Sequence, residues 1–308
     1  MEISEYKEFM KQKRGEMFKG TFDRTYTALE HMKLDKENSD YFRNNASEII
    51  TQLRGACWTL YQEEEKEFTK FMLSSLVNDT FISNINPADA IFLYIENYQE
   101  HLYQLFLSNT QSRRSRAGKE FECLIEIVLR GSGVEFDSQA SVGRKRFSEK
   151  SLGKLVDCVS PSAMHYLANK RNTVLISAKT TLRERWQEVP EEVSRTGASE
   201  MFLATLDENI SSDVFQVLYE SNIQVVTTKH IKQNCYPSNS RVLSFEDLIT
   251  VCLELREKWA GFKFESGALQ ETLTYLDGQI EKYENYDFIR NALTKTRIDY
   301  FTLTLDSK

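Results

Sequence analysis

The sequence is poor in the residues that interrupt a chain or cross-link it. It contains 4 Pro and 12 Gly among 308 residues, which excludes collagen-like, low-complexity and long disordered chains. Its 5 cysteines form an odd set without a Cys-x-x-Cys pair, so neither a disulfide framework nor a zinc ribbon is expected. These absences predict a globular protein of a reducing compartment, and we expect a cytoplasmic one.

Long apolar stretches are also missing. No run of apolar residues approaches the roughly 18 that a membrane helix needs, and the first seven residues lack the basic and apolar regions of a secretory signal. With 41% apolar and 28% charged residues, the composition is typical of globular domains. We therefore expect no membrane association, and the length allows one large domain or two smaller ones.

The charge is unevenly distributed along the chain. The net charge is −7, which on its own disfavours binding to a polyanion. Between Arg144 and Arg185, however, ten Lys or Arg stand against three acids, so this segment carries +7 and the remainder carries −14. Such segregation can direct a polyanion to one face of the protein. The charge distribution is therefore compatible with nucleic-acid binding. Residues Arg144–Arg146 could contact backbone phosphates or lie in a solvated loop.

The spacing of apolar residues predicts helices at both ends of the chain and an α/β region between them. The first 110 residues and those after Gly261 show apolar residues three to four apart, which is typical of amphipathic helices. A polar, basic linker is predicted over 108–116, and a helix over 118–130. Short β-branched runs then predict strands, with a helix over 211–220 between the last two. These predicted strands are 154–159, 173–179, 201–205 and 223–227.

The fold class that follows is α/β. A hairpin-like pair of strands precedes a βαβ alternation, so a central mixed sheet flanked by helices is expected. Three regions are predicted: a mainly helical N-terminal region (1–110), an α/β core (111–260) and a helical C-terminal tail (261–308). We expect the three regions to form one compact domain.

Charged residues at the ends of two predicted strands carry the chemistry. Asp157 lies near the end of one strand, Lys179 ends the next, and Glu192 follows in a predicted helix. Two carboxylates and a lysine at one sheet edge suit metal-assisted phosphodiester hydrolysis, in which carboxylates hold Mg²⁺ and the lysine stabilises developing charge. The lack of Cys/His clusters argues against zinc. The alternative is that these are solvated charges at strand ends.

The order Glu122…Asp157…Ser177-Ala178-Lys179…Glu192 resembles the type II restriction endonucleases of the SsoII/EcoRII/NgoMIV branch. These belong to the PD-(D/E)XK nuclease superfamily. In this branch a glutamate from the next helix replaces the acid that usually stands two residues before the lysine, and Ser177 occupies that position here. The resemblance implies a restriction-endonuclease-like sheet in which Asp157 and Glu192 bind Mg²⁺. It also implies that Lys179 is the catalytic lysine and Glu122 a supporting acid.

Two further segments are similar to the branch's DNA-reading residues. Arg183-Glu184-Arg185 resembles its base-reading segment, and arginine can donate two bonds to guanine while a carboxylate accepts from cytosine. The alternative is an exposed, charged helix start. Gln111 resembles a glutamine that reads the minor groove, although on sequence alone it is a surface residue.

Arg54 and Trp58 resemble the base pocket of the subgroup that cuts CCNGG and swings out the central base. Four residues apart, they share one face of a helix, where a guanidinium and an indole can hold an extruded base by stacking. The alternative places Trp58 in the core, with Arg54 reaching to the surface.

Together these features predict a type II restriction endonuclease of a prokaryotic cytoplasm. The resemblance implies Mg²⁺-dependent cleavage of double-stranded DNA at CCNGG sites that leaves 5′-phosphates and 5′ overhangs, and no small-molecule cofactor is expected. A homodimer is expected on a palindromic site, or a tetramer on two sites. The open alternatives are cleavage at CCWGG or continuous CCGG-type sites, and a non-catalytic DNA-binding protein whose acids are structural.

Overall fold

The structure, a computed structural model, describes residues 1–77, 85–138, 156–196 and 200–305. The chain divides into two compact units. Unit 1 comprises Met1–Ala28 and Arg54–Glu120, and unit 2 comprises Leu29–Leu53 and Phe121–Lys308.

Four helices account for most of the described residues before the sheet. They are α1 (Ile3–Met17), α2 (Thr21–His31), α3 (Ser39–Ser74) and α4 (Pro87–Gly131). Two of them are kinked, α3 at Asn45 and α4 at Tyr98, where the backbone leaves helical geometry. The helical N-terminal region is therefore confirmed.

Unit 1 is held by an apolar core that its helices share. Tyr6 and Met10 of α1, Phe68 and Met72 of α3 and Leu105 of α4 are buried together. The two residues named in α1 and the two named in α3 are each four apart, or about one turn, as an amphipathic face requires.

Unit 2 contains a mixed sheet with the strand order β1-β2-β3-β4-β5-β6. Strands β1 to β3 are antiparallel neighbours, and β3 to β6 run parallel. This arrangement confirms the predicted hairpin followed by parallel crossovers. The strands are β1 (Asp137–Ser138), β2 (Cys158–Ser160), β3 (Val174–Lys179), β4 (Met201–Thr205), β5 (Ile223–Thr227) and β6 (Val242–Ser244).

Helices follow the strands and cover the sheet. All five residues of β4 are buried, as is usual for a parallel strand with helices on both faces. Seven further helices are α5 (Ala163–Ala168), α6 (Glu188–Thr196), α7 (Ser212–Glu220), α8 (Lys229–Cys235), α9 (Phe245–Glu257), α10 (Ser266–Lys282) and α11 (Asp287–Leu305). The helical C-terminal tail is thus confirmed for the residues described. A 3₁₀ turn, Arg183–Gln187, precedes α6.

The predicted linker over 108–116 was wrong, because this segment continues α4 without a break. The segment contains neither glycine nor proline, and its arginines are good helix formers. Three side chains of the segment attach it to α3: the Asn109 amide donates to the Thr69 hydroxyl at 3.0 Å, the Ser112 hydroxyl accepts from the Tyr61 hydroxyl at 3.0 Å, and Arg113 pairs with Glu65. Polarity alone therefore did not indicate a loop.

Within the described ranges, no helix is both long enough and apolar enough to cross a membrane.

Candidate active site and DNA-reading segments

Asp157 lies immediately before β2, alongside the end of β3. Its backbone N–H donates to the Ile176 carbonyl at 2.9 Å, which extends the antiparallel ladder by one residue. Its carboxylate Oδ2 accepts a hydrogen bond from the Ala178 backbone N–H at 2.6 Å. The side chain is therefore held at the end of β3, one residue before Lys179.

Lys179 is the last residue of β3 and is half-buried. It pairs in register with Thr205 of the parallel strand β4. Ser177, two residues earlier, is completely buried. The structure thus brings Asp157 and Lys179 to one edge of the sheet, as the strand pattern predicted.

Glu192 lies on α6, the helix that follows the 3₁₀ turn after β3. Val189 and Val193 of α6 are buried in the core of unit 2, and Pro190 falls in the first turn, where a missing N–H costs nothing. The backbone of Glu192 is thereby anchored beside the sheet, but its side chain lies outside the description.

Two glutamates on α4 contribute further carboxyl groups to unit 2. Glu122 and Glu126 are one turn apart. Burial raises the pKa of the Glu126 carboxyl, and the negative charge of Asp157 adds to this effect, whereas Arg130 and a hydrogen bond from Ser138 oppose it. Sequence analysis missed Glu126, for which the one available signal was its spacing of four from Glu122.

The buried thiol of Cys158 is influenced by the charges of these carboxyl groups. Its thiol pKa lies well above the usual range, first because the group is buried and then because Glu126, Asp157 and Glu122 are close. Three carboxyl groups therefore lie near one residue of β2. Oxygen donors of this kind suit a hard divalent cation.

The described side chains alone do not form a complete metal site. Among them, no three His, Cys, Asp or Glu are placed to hold a metal ion. Of the two predicted ligands, only Asp157 has a described side chain, so the pair of Asp157 with Glu192 stays a prediction.

The chain turns sharply after Lys179. The Leu182 N–H donates to the Asp207 carboxylate at 2.8 Å, and the Leu206 N–H donates to the Thr180 carbonyl at 3.2 Å. These bonds tie the segment after β3 to the segment after β4. Asp207, which was not predicted from the sequence as a functional residue, therefore fixes the backbone position of Leu182, directly before the 3₁₀ turn.

Arg183 opens the 3₁₀ turn in a left-handed conformation, with φ at 42°. This region is costly for residues other than glycine, and such strain clusters at functional sites. Arg183 is exposed, and Trp186 packs against the core. The backbones of Glu184 and Arg185 belong to the same turn, whereas their side chains lie outside the description.

Arg54 and Trp58 lie one turn apart on α3, in unit 1. Arg54 is exposed and Trp58 is half-buried rather than part of the core. The Trp58 indole stacks on Tyr61, with ring centroids 5.9 Å apart and planes 16° from parallel. The Arg116 guanidinium lies 5.1 Å from the indole centroid and 4.6 Å from the Tyr61 centroid.

Arg116 is itself held by an ion pair with Glu120, and both side chains are almost entirely buried. Burial raises the Glu120 pKa, while Arg116, then Arg24 and Arg54, act in the opposite direction. Arg54 is thus close enough to influence the same carboxyl group. The contact between the buried Arg116 guanidinium and the Trp58 indole was not predicted from the sequence, because Arg116 was assigned to a linker.

The remaining predicted residues are less informative. Gln111 is exposed on α4, in unit 1. Arg144–Arg146 fall in 139–155, outside the described residues.

Known proteins resemble this chain over nearly all of its length. Residues 88–249 match the family described as EcoRII C terminal. The type II restriction enzyme SsoII of Shigella sonnei is 46% identical over 287 residues, which cover 93% of this chain and 94% of that enzyme. This chain belongs to the EcoRII C-terminal family.

The resemblance of this EcoRII C-terminal family member extends to solved structures. Metal-depleted Ecl18kI in complex with uncleaved, modified DNA superposes with a TM-score of 0.90 at 44% identity, covering 96% of this chain and 99% of that one. The complex of PspGI with substrate DNA has a TM-score of 0.56 at 16% identity, over 78% and 94% of the two chains. At that identity, PspGI supports the fold alone.

The family assignment establishes the class of the enzyme. The chain is a type II restriction endonuclease, a DNA-binding hydrolase that cleaves DNA. Use of a divalent metal ion is general among such enzymes. The predicted enzyme class and the predicted restriction-endonuclease-like fold are therefore both confirmed.

Proposed function

We propose that this restriction endonuclease cuts double-stranded DNA at CCNGG sites, with Mg²⁺ as cofactor, and extrudes the central base. The proposed catalytic site is supported by the hydrogen bond from the Ala178 N–H to the Asp157 carboxylate. This bond holds the carboxylate close to Lys179 at one edge of the sheet. Asp157 and Glu192 would hold the metal ion. When bound, the ion polarises the phosphate and lowers the pKa of a water molecule.

The protein's own groups would orient and stabilise the reacting phosphate. The Lys179 ammonium would lie against the phosphate oxygens and stabilise the charge that develops there. Glu122 would support the metal-binding carboxylates. The bond that breaks is the one to the 3′-oxygen, so the products are a 5′-phosphate and a 3′-hydroxyl. Cleavage before the first C leaves 5′ overhangs.

Base reading would come from the strained turn after β3. Arg183, Glu184 and Arg185 together supply donors for guanine and an acceptor for cytosine, which suits adjacent G·C pairs in the major groove. The bonds through Asp207 support this assignment, because they fix the start of the turn relative to Lys179. Gln111 would contact guanine from the minor groove.

The central base would enter the pocket of Arg54 and Trp58. The indole is already fixed by Tyr61 and Arg116, so little conformational freedom is lost when a base stacks on it. Stacking does not discriminate between bases, which is consistent with any base at the central position. We further propose a homodimer on one site, or a tetramer on two, in a prokaryotic cytoplasm.

Digestion of a mapped plasmid tests the proposed specificity. With Mg²⁺ we expect discrete fragments whose sequenced ends lie before the first C of CCNGG, with all four bases represented at the centre. Without divalent metal the plasmid should stay intact. Fragments restricted to A or T at the centre would establish CCWGG instead, and ends at uninterrupted CCGG would contradict the proposed central base.

Substitution of Trp58 tests the extrusion of that base. A fluorescent adenine analogue at the centre of the site should brighten when wild-type protein binds and it leaves the stack. Trp58→Ala is expected to remove most of this signal and to slow cleavage, whereas Trp58→Phe, which keeps a stacking face, should preserve both. If the alanine variant brightens the analogue and cleaves as wild type does, the pocket assignment is wrong.

A further inference from the structure

The chain between Lys179 and Arg183 is short, and hydrogen bonds hold it close to both ends. Only three residues separate the two side chains. The Thr180 carbonyl accepts a hydrogen bond at 3.2 Å, and the Leu182 N–H donates one at 2.8 Å. Both bonds lead to the segment that follows β4, and the second ends on the Asp207 carboxylate. The position of Arg183 relative to Lys179 therefore depends on where Asp207 lies.

Asp207 is itself attached to the strand position that pairs with Lys179. Its N–H donates to the Thr205 hydroxyl at 3.2 Å, and Thr205 is completely buried and pairs in register with Lys179. One carboxylate oxygen of Asp207 accepts from the Asn209 N–H at 2.9 Å, within the local turn. The other oxygen accepts from Leu182, 25 residues earlier in the chain. A residue that only stabilised its own turn would not need the second bond.

A buried tyrosine holds the loop in which Asp207 lies. The Tyr236 hydroxyl donates to the Asp207 carbonyl at 2.7 Å and accepts from the Ile210 N–H at 3.1 Å. Its ring packs edge-on against Phe215, with centroids 5.1 Å apart. The loop over 207–210 is therefore fixed by a side chain that lies outside it.

The backbone of Arg183 requires such support. Its left-handed conformation, with φ at 42°, costs free energy and persists only where the surrounding structure holds it. Leu182, directly before it, is 2% exposed and bonded to Asp207. Burial and this hydrogen bond together hold the chain where the strained residue begins.

We propose that Asp207 is a positioning residue for sequence specificity, which sets the place of Arg183 relative to Lys179. This inference rests on the proposed base reading by Arg183. A turn that is held before DNA arrives loses little conformational freedom when its guanidinium meets the correct base pair. A turn released from Asp207 also adapts to incorrect base pairs, so the difference between correct and incorrect sites in the transition state becomes smaller.

Single-turnover cleavage with Mg²⁺ tests the proposal on two duplexes. One carries the CCNGG site, and in the other a single outer G·C pair is replaced by A·T. The measured quantity is the ratio of the two rates. In Asp207→Ala this ratio should fall by roughly 10- to 100-fold, because a misplacement of about 1 Å can cost a factor of that order. Partial unfolding would slow both reactions equally and leave the ratio unchanged, so the ratio separates positioning from a merely structural role.

Two conservative variants and one control accompany this measurement. Asp207→Asn keeps one carbonyl oxygen, which can accept from only one of the two N–H groups, so its ratio should lie between those of wild type and Asp207→Ala. Tyr236→Phe removes both hydroxyl bonds to the loop but keeps the ring, and its ratio should fall several-fold. Glu208→Ala changes the exposed acid next in the chain and should keep the wild-type ratio. Circular dichroism checks that each variant is folded.

Arg183→Ala distinguishes a failure of this inference from a failure of the proposed base reading. If Arg183→Ala lowers the ratio and folded Asp207→Ala keeps it at the wild-type value, the role of Asp207 is overturned and the base reading stands. If Arg183→Ala keeps the wild-type ratio, the base reading is contradicted, and the inference that rests on it falls as well. Should Asp207→Ala fail to fold, wild-type ratios in both Asp207→Asn and Tyr236→Phe would overturn the inference.

Discussion

At the scale of single residues, the proposed cleavage chemistry depends on where the side chains of Asp157 and Lys179 are held. Sequence analysis placed Asp157 and Lys179 at neighbouring strand ends, and the bond from Ala178 shows how the sheet joins them. Glu126 was missed because a glutamate four residues after Glu122 is typical of any solvated helix face. Its proximity to Asp157 arises from the packing of α4 near β2, and local sequence does not encode such a tertiary contact.

The surroundings of His165 indicate a structural role in the core. The ring is buried, its Nδ1 lies 2.8 Å from the Ser162 hydroxyl, and Trp259 and Phe264 meet it edge-on with centroids 4.7 Å away. Burial, with a smaller contribution from Arg256, lowers its pKa to about 3. The imidazole is therefore neutral throughout the range in which the protein is expected to act.

This lowered pKa predicts a pH-dependent stability. Between about pH 6.5 and pH 3 the unfolded chain binds a proton at His165 that the folded chain does not. The free energy of unfolding is therefore highest above about pH 6.5 and decreases as the pH is lowered. From pH 7.5 to 5.0 the loss should be about 2 kcal/mol. In urea denaturation, the free energy of unfolding of His165→Gln should fall by about 2 kcal/mol less than that of wild type between pH 7.5 and 5.0. The control is His31→Gln, which changes an exposed histidine. Equal slopes for His165→Gln and wild type would refute this.

At the scale of elements, sequence patterns predicted one part of α4 correctly and another part wrongly. Helical structure was predicted before residue 108 and over 118–130, and the structure confirms both. The segment between them was misassigned, since its polar residues were interpreted without their partners on α3. Tyr61 and Glu65, whose bonds hold Ser112 and Arg113 in the helix, lie about 50 residues away in the sequence.

Two glycines of α4 allow a matched test of how this helix ends. A Cβ added at Gly131 would overlap the ring of Phe42, whereas at Gly118 it would meet nothing within 4 Å. Gly131→Ala should therefore lower the free energy of unfolding by at least roughly 1–3 kcal/mol. Gly118→Ala should raise it by about 0.5–1 kcal/mol, because alanine favours a helix interior. Chemical denaturation measures both, and equal effects would contradict the close packing at Gly131.

At the scale of the whole molecule, short apolar runs were enough to predict the four central strands of the sheet. Strands β4 and β5 begin and end at the predicted residues, because each is a short apolar run of five residues, the length typical of a buried strand. Strand β1 has two residues, and β6 has three before α9 begins. Strands this short have no periodicity of their own and are defined by their neighbours in the sheet.

The most direct test of the proposed active site compares DNA cleavage and DNA binding for Lys179→Ala. Single-turnover cleavage of a CCNGG duplex with Mg²⁺ should be slower than wild type by roughly 100- to 1,000-fold, because the cation that stabilises the reacting phosphate is removed. Specific binding without metal should stay close to wild type. Lys263→Ala, an exposed lysine between α9 and α10, should cleave normally. Cleavage by Lys179→Ala at the wild-type rate would contradict the assignment of this sheet edge as the active site.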